Sequence, residues 1–278
     1  MLWIVSLIIG LAGFAAGSYW DLKYTEFPDW LPYSIIIAGV AARGLFAYIY
    51  SDIWILANSL IIGLIFLGLG YVFYFSKQWG DGDAWLLGAM GFLFPDTGGF
   101  AIQTLFSFPV TLLLNFLFVS LFYLIVYSLF LGYRSRKVRE SFVKDLNSNS
   151  RRYMTFILLF FVVSYASVLY LSFTYNVHLS AMPTMLFLPF LLTFILIFTN
   201  YARIIEKDMF KKKIPVSRLR VGDVILEDKW RGIKEEDVEK LKKTRKFVWI
   251  KEGVRFAPVF LLTIIISFLI GDMVIILI

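Results

Sequence analysis

The chain has 278 residues, 59% of them hydrophobic, with 29 Phe and a mean hydropathy of +0.76, which excludes an ordinary soluble domain. It carries no Cys and a single His, His178, which excludes disulfides, a thiol nucleophile and CxxC zinc sites, and leaves no residues for multi-His metal centres. The net charge of +7 calls for no nucleic-acid partner, because membrane topology and contact with anionic lipid headgroups account for it.

Apolar runs of about 20 residues, the length that crosses a bilayer core as helix, recur along nearly the whole chain. In order they are Leu2–Trp20, Leu31–Tyr50, Trp54–Phe75, Asp83–Phe94, Leu105–Leu131, Tyr153–Tyr175, Pro183–Thr199 and Phe256–Ile278. The first has no basic segment ahead of it and runs straight into Asp21, so it reads as a retained span and not as a cleaved signal. The fourth is short, about 18 Å at 1.5 Å per residue, so Asp83 at its start is expected to sit inset from the membrane surface. Pro95 and Gly98-Gly99 mark the loop after it, and Pro109 is expected to fray or kink the first turns of the fifth run.

Two polar inserts interrupt the pattern. Residues Arg134 to Arg152 read as a basic loop. Residues 201–255 are long and polar enough for a small α+β domain, with a strand at Val221–Leu226, a charged helix at Lys234–Lys243 and a strand at Phe247–Ile250. No internal repeat is evident. The expected architecture is an all-α polytopic membrane protein of about eight transmembrane helices with a small cytoplasmic α+β domain. Its parts are a catalytic membrane core at 1–131, a basic cytoplasmic loop at 132–152 and two additional helices at 153–200. The small cytoplasmic domain at 201–255 and a C-terminal helix at 256–278 complete it.

Charge asymmetry orients these spans. If Leu2–Trp20 runs from outside to inside, the inner segments hold 26 of the 27 Lys and Arg residues, and Arg43 is the exception. The positive-inside rule then places both termini outside and residues 201–255 in the cytoplasm.

Asp21 and Asp83 lie 62 residues apart with two spans between them, so both reach one membrane face. Ionisable groups at membrane depth are expensive and point to function. Asp83 opens its helix, where the dipole favours an anion, whereas Asp21 ends its helix, where an anion is disfavoured. Such a difference suits two carboxylates that share a proton and polarise a water, the chemistry of aspartic proteases. In Gly80-Asp81-Gly82-Asp83 the glycines are expected to permit positive φ and to let a substrate backbone come close. The plainer readings are an interfacial cap for Asp21 and a tight turn with an N-cap for the Gly-Asp-Gly-Asp string. The pairing on one face weighs against both. Asp81 reads as a solvated loop residue. Glu26 and Asp29, which follow Asp21, are either a solvated loop or an acidic dock for a basic peptide. The rival functions are a cation- or proton-coupled transporter using intramembrane carboxylates, and a membrane scaffold whose basic domain recruits a partner.

Ser18-Tyr19-Trp20-Asp21 and Trp79-Gly80-Asp81-Gly82-Asp83-Ala84 resemble the archaeal prepilin and preflagellin peptidases. These are GxGD membrane aspartyl proteases of the peptidase A24 type, a class that includes bacterial prepilin peptidases and, more distantly, presenilin. Asp21-Leu22-Lys23 with Glu26 and Pro28 is similar to the family's Asp-containing loop, and Leu86-Leu87-Gly88-Ala89-Met90-Gly91 to its post-GxGD helix. The resemblance covers 1–131 well and Phe256–Ile278 loosely. Arg220-Val221-Gly222-Asp223-Val224 and Gly232-Ile233-Lys234-Glu235-Glu236-Asp237 are similar to the C-terminal region of the longer archaeal members. It implies that Asp21 and Asp83 are the catalytic pair, without metal or cofactor. It also implies cleavage, on the cytoplasmic side of the cell membrane, of the class III signal peptide of pilin-like or archaellin-like precursors. A basic leader would lie beside Glu26, Asp29 and Asp81, with Gly80 and Gly82 at the bound backbone. The spans at 153–175 and 183–199 are extra relative to six-helix preflagellin enzymes. The chain also lacks the cysteine zinc-binding insert of many bacterial members and any methyltransferase motif.

Overall fold

Backbone in a hydrocarbon phase has to satisfy its own hydrogen bonds, so the apolar runs form helices. The fold is that of a computed structural model that describes residues 1–278 apart from 103, 176–181, 220–223, 227–232, 234 and 278. Its helices are α1 (Leu2–Tyr24), α2 (Trp30–Tyr50), α3 (Trp54–Phe75), α4 (Asp81–Leu93) and α5 (Phe108–Arg134). They continue with α6 (Arg136–Ser148), α7 (Ser150–Tyr175), α8 (Met182–Ile205), α9 (Glu235–Thr244) and α10 (Pro258–Ile270). The strands are β1 (Lys211–Pro215), β2 (Val224–Ile225) and β3 (Phe247–Lys251). Among the described residues six helices, α1, α2, α3, α5, α7 and α8, are long and apolar enough to cross a membrane. The protein is a multi-pass, all-α membrane protein with a small α+β region.

The chain divides into two units, residues Met1–Ile125 with Glu252–Ile278, and residues Val126–Lys251. In the first unit α4 is the innermost helix. Ala84 and every residue from Leu86 to Leu93 are buried. Small residues let α3 approach it closely: a Cβ on Gly70 would stand 2.7 Å from the Ala84 backbone, and one on Gly63 would enter the Phe92 ring. A hydrophobic core of Phe14, Ile35, Phe66, Phe116, Phe260 and Phe268, among others, surrounds it.

α4 has 13 residues, about 20 Å at 1.5 Å each, against a hydrocarbon core of about 30 Å. Its last carbonyls therefore end inside the apolar phase and need donors. Arg43 of α2 supplies one, its guanidinium donating to the Leu93 carbonyl at 3.1 Å and to Asp96 at 2.8 Å. Ser59 of α3 supplies another, its hydroxyl donating to the Phe92 carbonyl at 2.6 Å. Arg43 is 1% exposed. Arg43, the exception in the charge sorting, is thus an ion-paired cap.

The C-terminal apolar run differs from its expected form. It makes a 13-residue helix, α10, then turns at Gly271 with φ 79° and continues as a short 3-10 turn, Met273–Leu277. Asn115 of α5 holds the break, donating to the Gly271 carbonyl at 2.6 Å and to Ser267 at 2.8 Å, and accepting from the Met273 amide at 2.9 Å. The buried Asp272 accepts from the Leu105 and Phe106 amides ahead of α5. Pro109 does not kink α5. It lies in the first turn, after Phe108, where a missing N–H costs nothing.

In the second unit the expected basic loop is largely a helix, α6. Ser135 caps it by accepting from the Val138 amide. Val138, Phe142 and Leu146 recur at four-residue spacing in an otherwise charged stretch, which is a helical stripe. Val138 is buried and Phe142 packs edge-on against Tyr201, with ring centroids 5.0 Å apart. α8 runs to Ile205 and continues as a π turn, Glu206–Phe210, so the span ends beyond Thr199. The sheet has the order β1-β3-β2, antiparallel throughout, with Lys213 opposite Trp249 and Val224 opposite Lys251. Its inward residues, Val248 and Ile250, share a small core with Val216, Ile225 and Val238. β1 was not expected from the sequence, because three lysines occupy it. Of the expected strand Val221–Leu226, residues 221–223 lie outside the described residues, as do His178, Arg220, Gly232 and Lys234.

Substituting Arg43 by Met should leave the buried Leu93 carbonyl without its donor, while the part-exposed Asp96 turns to water, and destabilise the protein by about 1–3 kcal/mol. Ser59→Ala should remove about 1 kcal/mol. Chemical unfolding in detergent micelles measures both, and equal losses would refute the assignment of Arg43 as the stronger cap.

Candidate active site

Asp21 lies in the last turn of α1. That helix runs to Tyr24, with Thr25 left-handed at φ 67°, instead of stopping at Trp20. Nothing in Asp21-Leu22-Lys23 breaks a helix, Lys23 suits the negative end of the dipole, and Phe27-Pro28 supplies the stop. The Asp21 side chain is buried at 4% exposure. The expectation that its site disfavours an anion is overturned by the fold. Its Oδ2 accepts from the Ala257 amide at 2.9 Å, and Ala257 is the N-cap position of α10. The Phe256 amide also faces it, and the Arg255 charge acts on it. Asp21 therefore sits at the positive end of α10 while ending α1.

Asp83 is the third residue of α4 and is half-buried. Its carboxylate reaches back to the amide of Gly80, the N-cap of α4, an arrangement that satisfies one of the free donors of the first turn. The charges acting on it are those of Asp21 and Asp81. The two proposed partners are thus brought to one end of the first unit. No hydrogen bond joins them among the described residues. Each is held by the amides of a helix start.

The glycines act differently from expectation. Gly80 has φ −73°, and Gly82 is helical because α4 begins at Asp81. Neither has a positive φ. What Gly82 contributes is space: a Cβ there would stand 2.8 Å from Cζ of Phe27. The Phe27 ring seats against the start of α4 and ties the loop Thr25–Asp29 to it. Glu26 and Asp29, on either side of Phe27, are exposed, as are Asp81 and Gly80. Glu26 is engaged in an interaction of its own. Asp29 precedes α2 at its N-cap position without a side-chain capping bond, and Asp81 Oδ1 accepts from the Gly82 amide at 2.9 Å. Among the described residues no group of three or more His, Asp or Glu side chains is arranged to hold a metal ion.

Sequence reasoning missed the segment 255–257 and the rings that fix it. Trp79, immediately before Gly80, packs against Phe73, Phe116 and Phe256 with centroids 4.6, 5.5 and 5.6 Å away. Phe256 immediately precedes the amide that binds Asp21. The Tyr123 hydroxyl donates to the Arg255 carbonyl at 2.5 Å. One aromatic cluster therefore fixes both the residue before the Gly-Asp-Gly-Asp string and the start of α10. A signal was available in Arg255-Phe256-Ala257-Pro258, since a proline opening an apolar run marks a helix start with free amides. Its contact with Asp21, 236 residues away, has no local trace.

Comparison with known proteins bears on this arrangement. The chain is 28% identical over 204 residues to a prepilin peptidase, EppA, of Methanothermobacter thermautotrophicus, covering 69% of this chain and 52% of that protein. It is 28% identical over 127 residues to a preflagellin peptidase of Methanocaldococcus jannaschii, covering 42% of this chain and 54% of that protein. The chain thus spans about half the length of these curated relatives. Residues 8–129, which contain both Asp21 and Asp83, match the type IV leader peptidase family.

Proposed function

We propose that the protein is a membrane-embedded aspartyl endopeptidase. It removes the class III signal peptide from type IV pilin-like or archaellin-like precursors on the cytoplasmic side of the cell membrane. The observation that carries this reading is the convergence of Asp21 and Asp83, from two helices, on one end of the first unit, each against the amides of a helix start. The prepilin and preflagellin peptidase relatives support the substrate class.

The chemistry needs one carboxylate and one carboxylic acid flanking a water and a peptide carbonyl. The carboxylate takes a proton from water as the water oxygen bonds to the carbonyl carbon, and the acid gives its proton to the carbonyl oxygen. As the C–N bond of the resulting diol breaks, the nitrogen takes the proton held by the first carboxyl. The second carboxyl takes one back from a hydroxyl, and both groups return to their starting states. No hydrogen bond joins the two side chains among the described residues, so a substrate and water entering between them would not have to break one. A peptide has to be extended there, which favours a cut just outside the hydrophobic helix of a precursor.

The transporter alternative requires polar side chains free to bind ions deep in several helices. Asn115 and Ser267 are instead engaged in the break after α10, and Ser59 in the cap of α4.

Replacing Asp21 or Asp83 by Asn should each abolish cleavage of a pilin-like precursor by purified protein in detergent, a loss of at least ~100-fold, with normal membrane insertion. Asp81→Asn should reduce turnover modestly. Near-normal activity of either of the first two variants would refute the proposal.

The orientation is testable because the chain has no Cys. A cysteine at Ser51, in the exposed turn after α2, should react with an impermeant maleimide on intact cells. One at Ser148, at the end of α6, should react only after permeabilisation. The opposite pattern would move the site to the other face.

Glu26 and Asp29 are proposed to attract the basic leader. Exposed charge pairs contribute about 0.2–1 kcal/mol each, so the Glu26→Gln, Asp29→Asn double variant should raise KM a few-fold on a Lys-rich leader. The effect should fade with salt, given screening within about 8 Å at physiological ionic strength. Equal losses on a neutral leader would show that the pair only supports the loop.

A further inference from the structure

The segment Arg255-Phe256-Ala257 lies outside the stretch matched to the peptidase family, residues 8–129, yet it hydrogen-bonds one of the two carboxylates. The Ala257 amide donates to Asp21 Oδ2 at 2.9 Å in a buried setting, the Phe256 amide faces the same group and the Arg255 charge acts on it. This is not loose packing. Phe256 is 8% exposed and Ala257 1%. The Phe256 ring is wedged among Trp79, Phe116 and Phe260, with centroids 5.6–6.0 Å away, and Tyr123 holds the Arg255 carbonyl. Asp83 has a different neighbourhood. It accepts from one amide, that of Gly80, and the charges acting on it are the carboxylates Asp21 and Asp81. Two donors and a cation surround one member of the pair, and two anions face the other.

We propose that the N-terminus of α10 is a working part of the site, where the Ala257 amide, backed by Arg255, holds Asp21 as the charged member of the pair and so makes it the base. The inference rests on the hydrolytic reading of Asp21 and Asp83 and divides their labour. Asp21 takes the proton from water as the water oxygen bonds to the carbonyl carbon. Asp83 starts protonated and gives its proton to the carbonyl oxygen. When the C–N bond breaks, Asp21 returns its proton to the leaving nitrogen and Asp83 recovers one from the diol. Ala257 and Arg255 are positioning residues, since they act on substrate only through Asp21. The assignment reverses the one that helix position alone suggests, in which Asp83 is the favoured anion because it opens a helix.

A substitution that deletes a single donor tests the inference. Ala257 has φ −53°, a value proline adopts, so Ala257→Pro removes the N–H at little backbone cost, whereas Ala257→Gly keeps it. With a pilin-like precursor, Ala257→Pro should lower kcat about 10- to 100-fold, the scale of a hydrogen bond to a charged group, with KM close to that of the parent protein. Ala257→Gly should stay within a few-fold. Arg255→Gln should lower kcat and Arg255→Lys should recover most of it, which a purely steric role would not produce. Asp21→Asn, assayed in parallel, separates the two readings. An inactive Asp21→Asn beside an Ala257→Pro of parental kcat refutes the role of α10 and leaves the proposed function standing. An active Asp21→Asn refutes that function itself. Equal losses in the Pro and Gly variants, or a rise in KM alone, would reduce the segment to packing or substrate binding and overturn the inference. If Ala257→Pro fails to fold, the Arg255 pair decides: parental kcat in Arg255→Gln refutes the proposal, and loss with recovery in Arg255→Lys upholds it.

Discussion

A helix that ends inside an apolar phase has to find partners for its terminal amides and carbonyls, and the first unit of this protein is organised around two such helices. α4 and α10 each have 13 residues, too few to reach both faces of a hydrocarbon core of about 30 Å. Their four ends are met by side chains from other helices or from their own first turn. Arg43 and Ser59 serve the end of α4, Asn115 the end of α10, Asp83 the start of α4 and Asp21 the start of α10. Leaving any of these ends unpaired would cost on the order of 1–3 kcal/mol per group. The same requirement therefore builds the scaffold and delivers two carboxylates to one end of it.

The two helix starts converge for reasons of packing. Trp79 and Phe256 each stand one residue before a helix-opening amide, and their rings meet in one cluster with Phe116. That contact sets the distance between the Gly-Asp-Gly-Asp string and the start of α10 without any polar bond between them. Phe27 completes the arrangement by lying where a side chain on Gly82 would be, which brings the exposed acidic residues of its loop beside the start of α4. A rigid interior and an exposed acidic approach suit a site that admits the extended segment of a larger protein. The polar groups at the opposite end, around Asn115 and Asp272, are spent on the break after α10.

Composition and periodicity were enough to determine the class of this protein, its long spans and the charged character of residues 201–255, because lipid imposes length and hydrophobicity on each span independently. They also brought Asp21 and Asp83 to notice, since a carboxylate beside an apolar run stands out in any local window. α6 was missed because the high charge of residues 134–152 hid a four-residue stripe of Val138, Phe142 and Leu146, and β1 because lysines fill an edge strand whose partner is 32 residues or more away. The glycines of the Gly-Asp-Gly-Asp string were expected to take positive φ beside a substrate, but the helix begins at Asp81, two residues before the expected start, and the second glycine makes room for a ring. What only the tertiary structure decided is the electrical setting of Asp21. Helix position along the chain puts it at a negative helix end, whereas the fold places the positive end of α10 and the Arg255 charge against it. Electrostatic environment is a sum over neighbours in space, and here the decisive neighbour is 236 residues away.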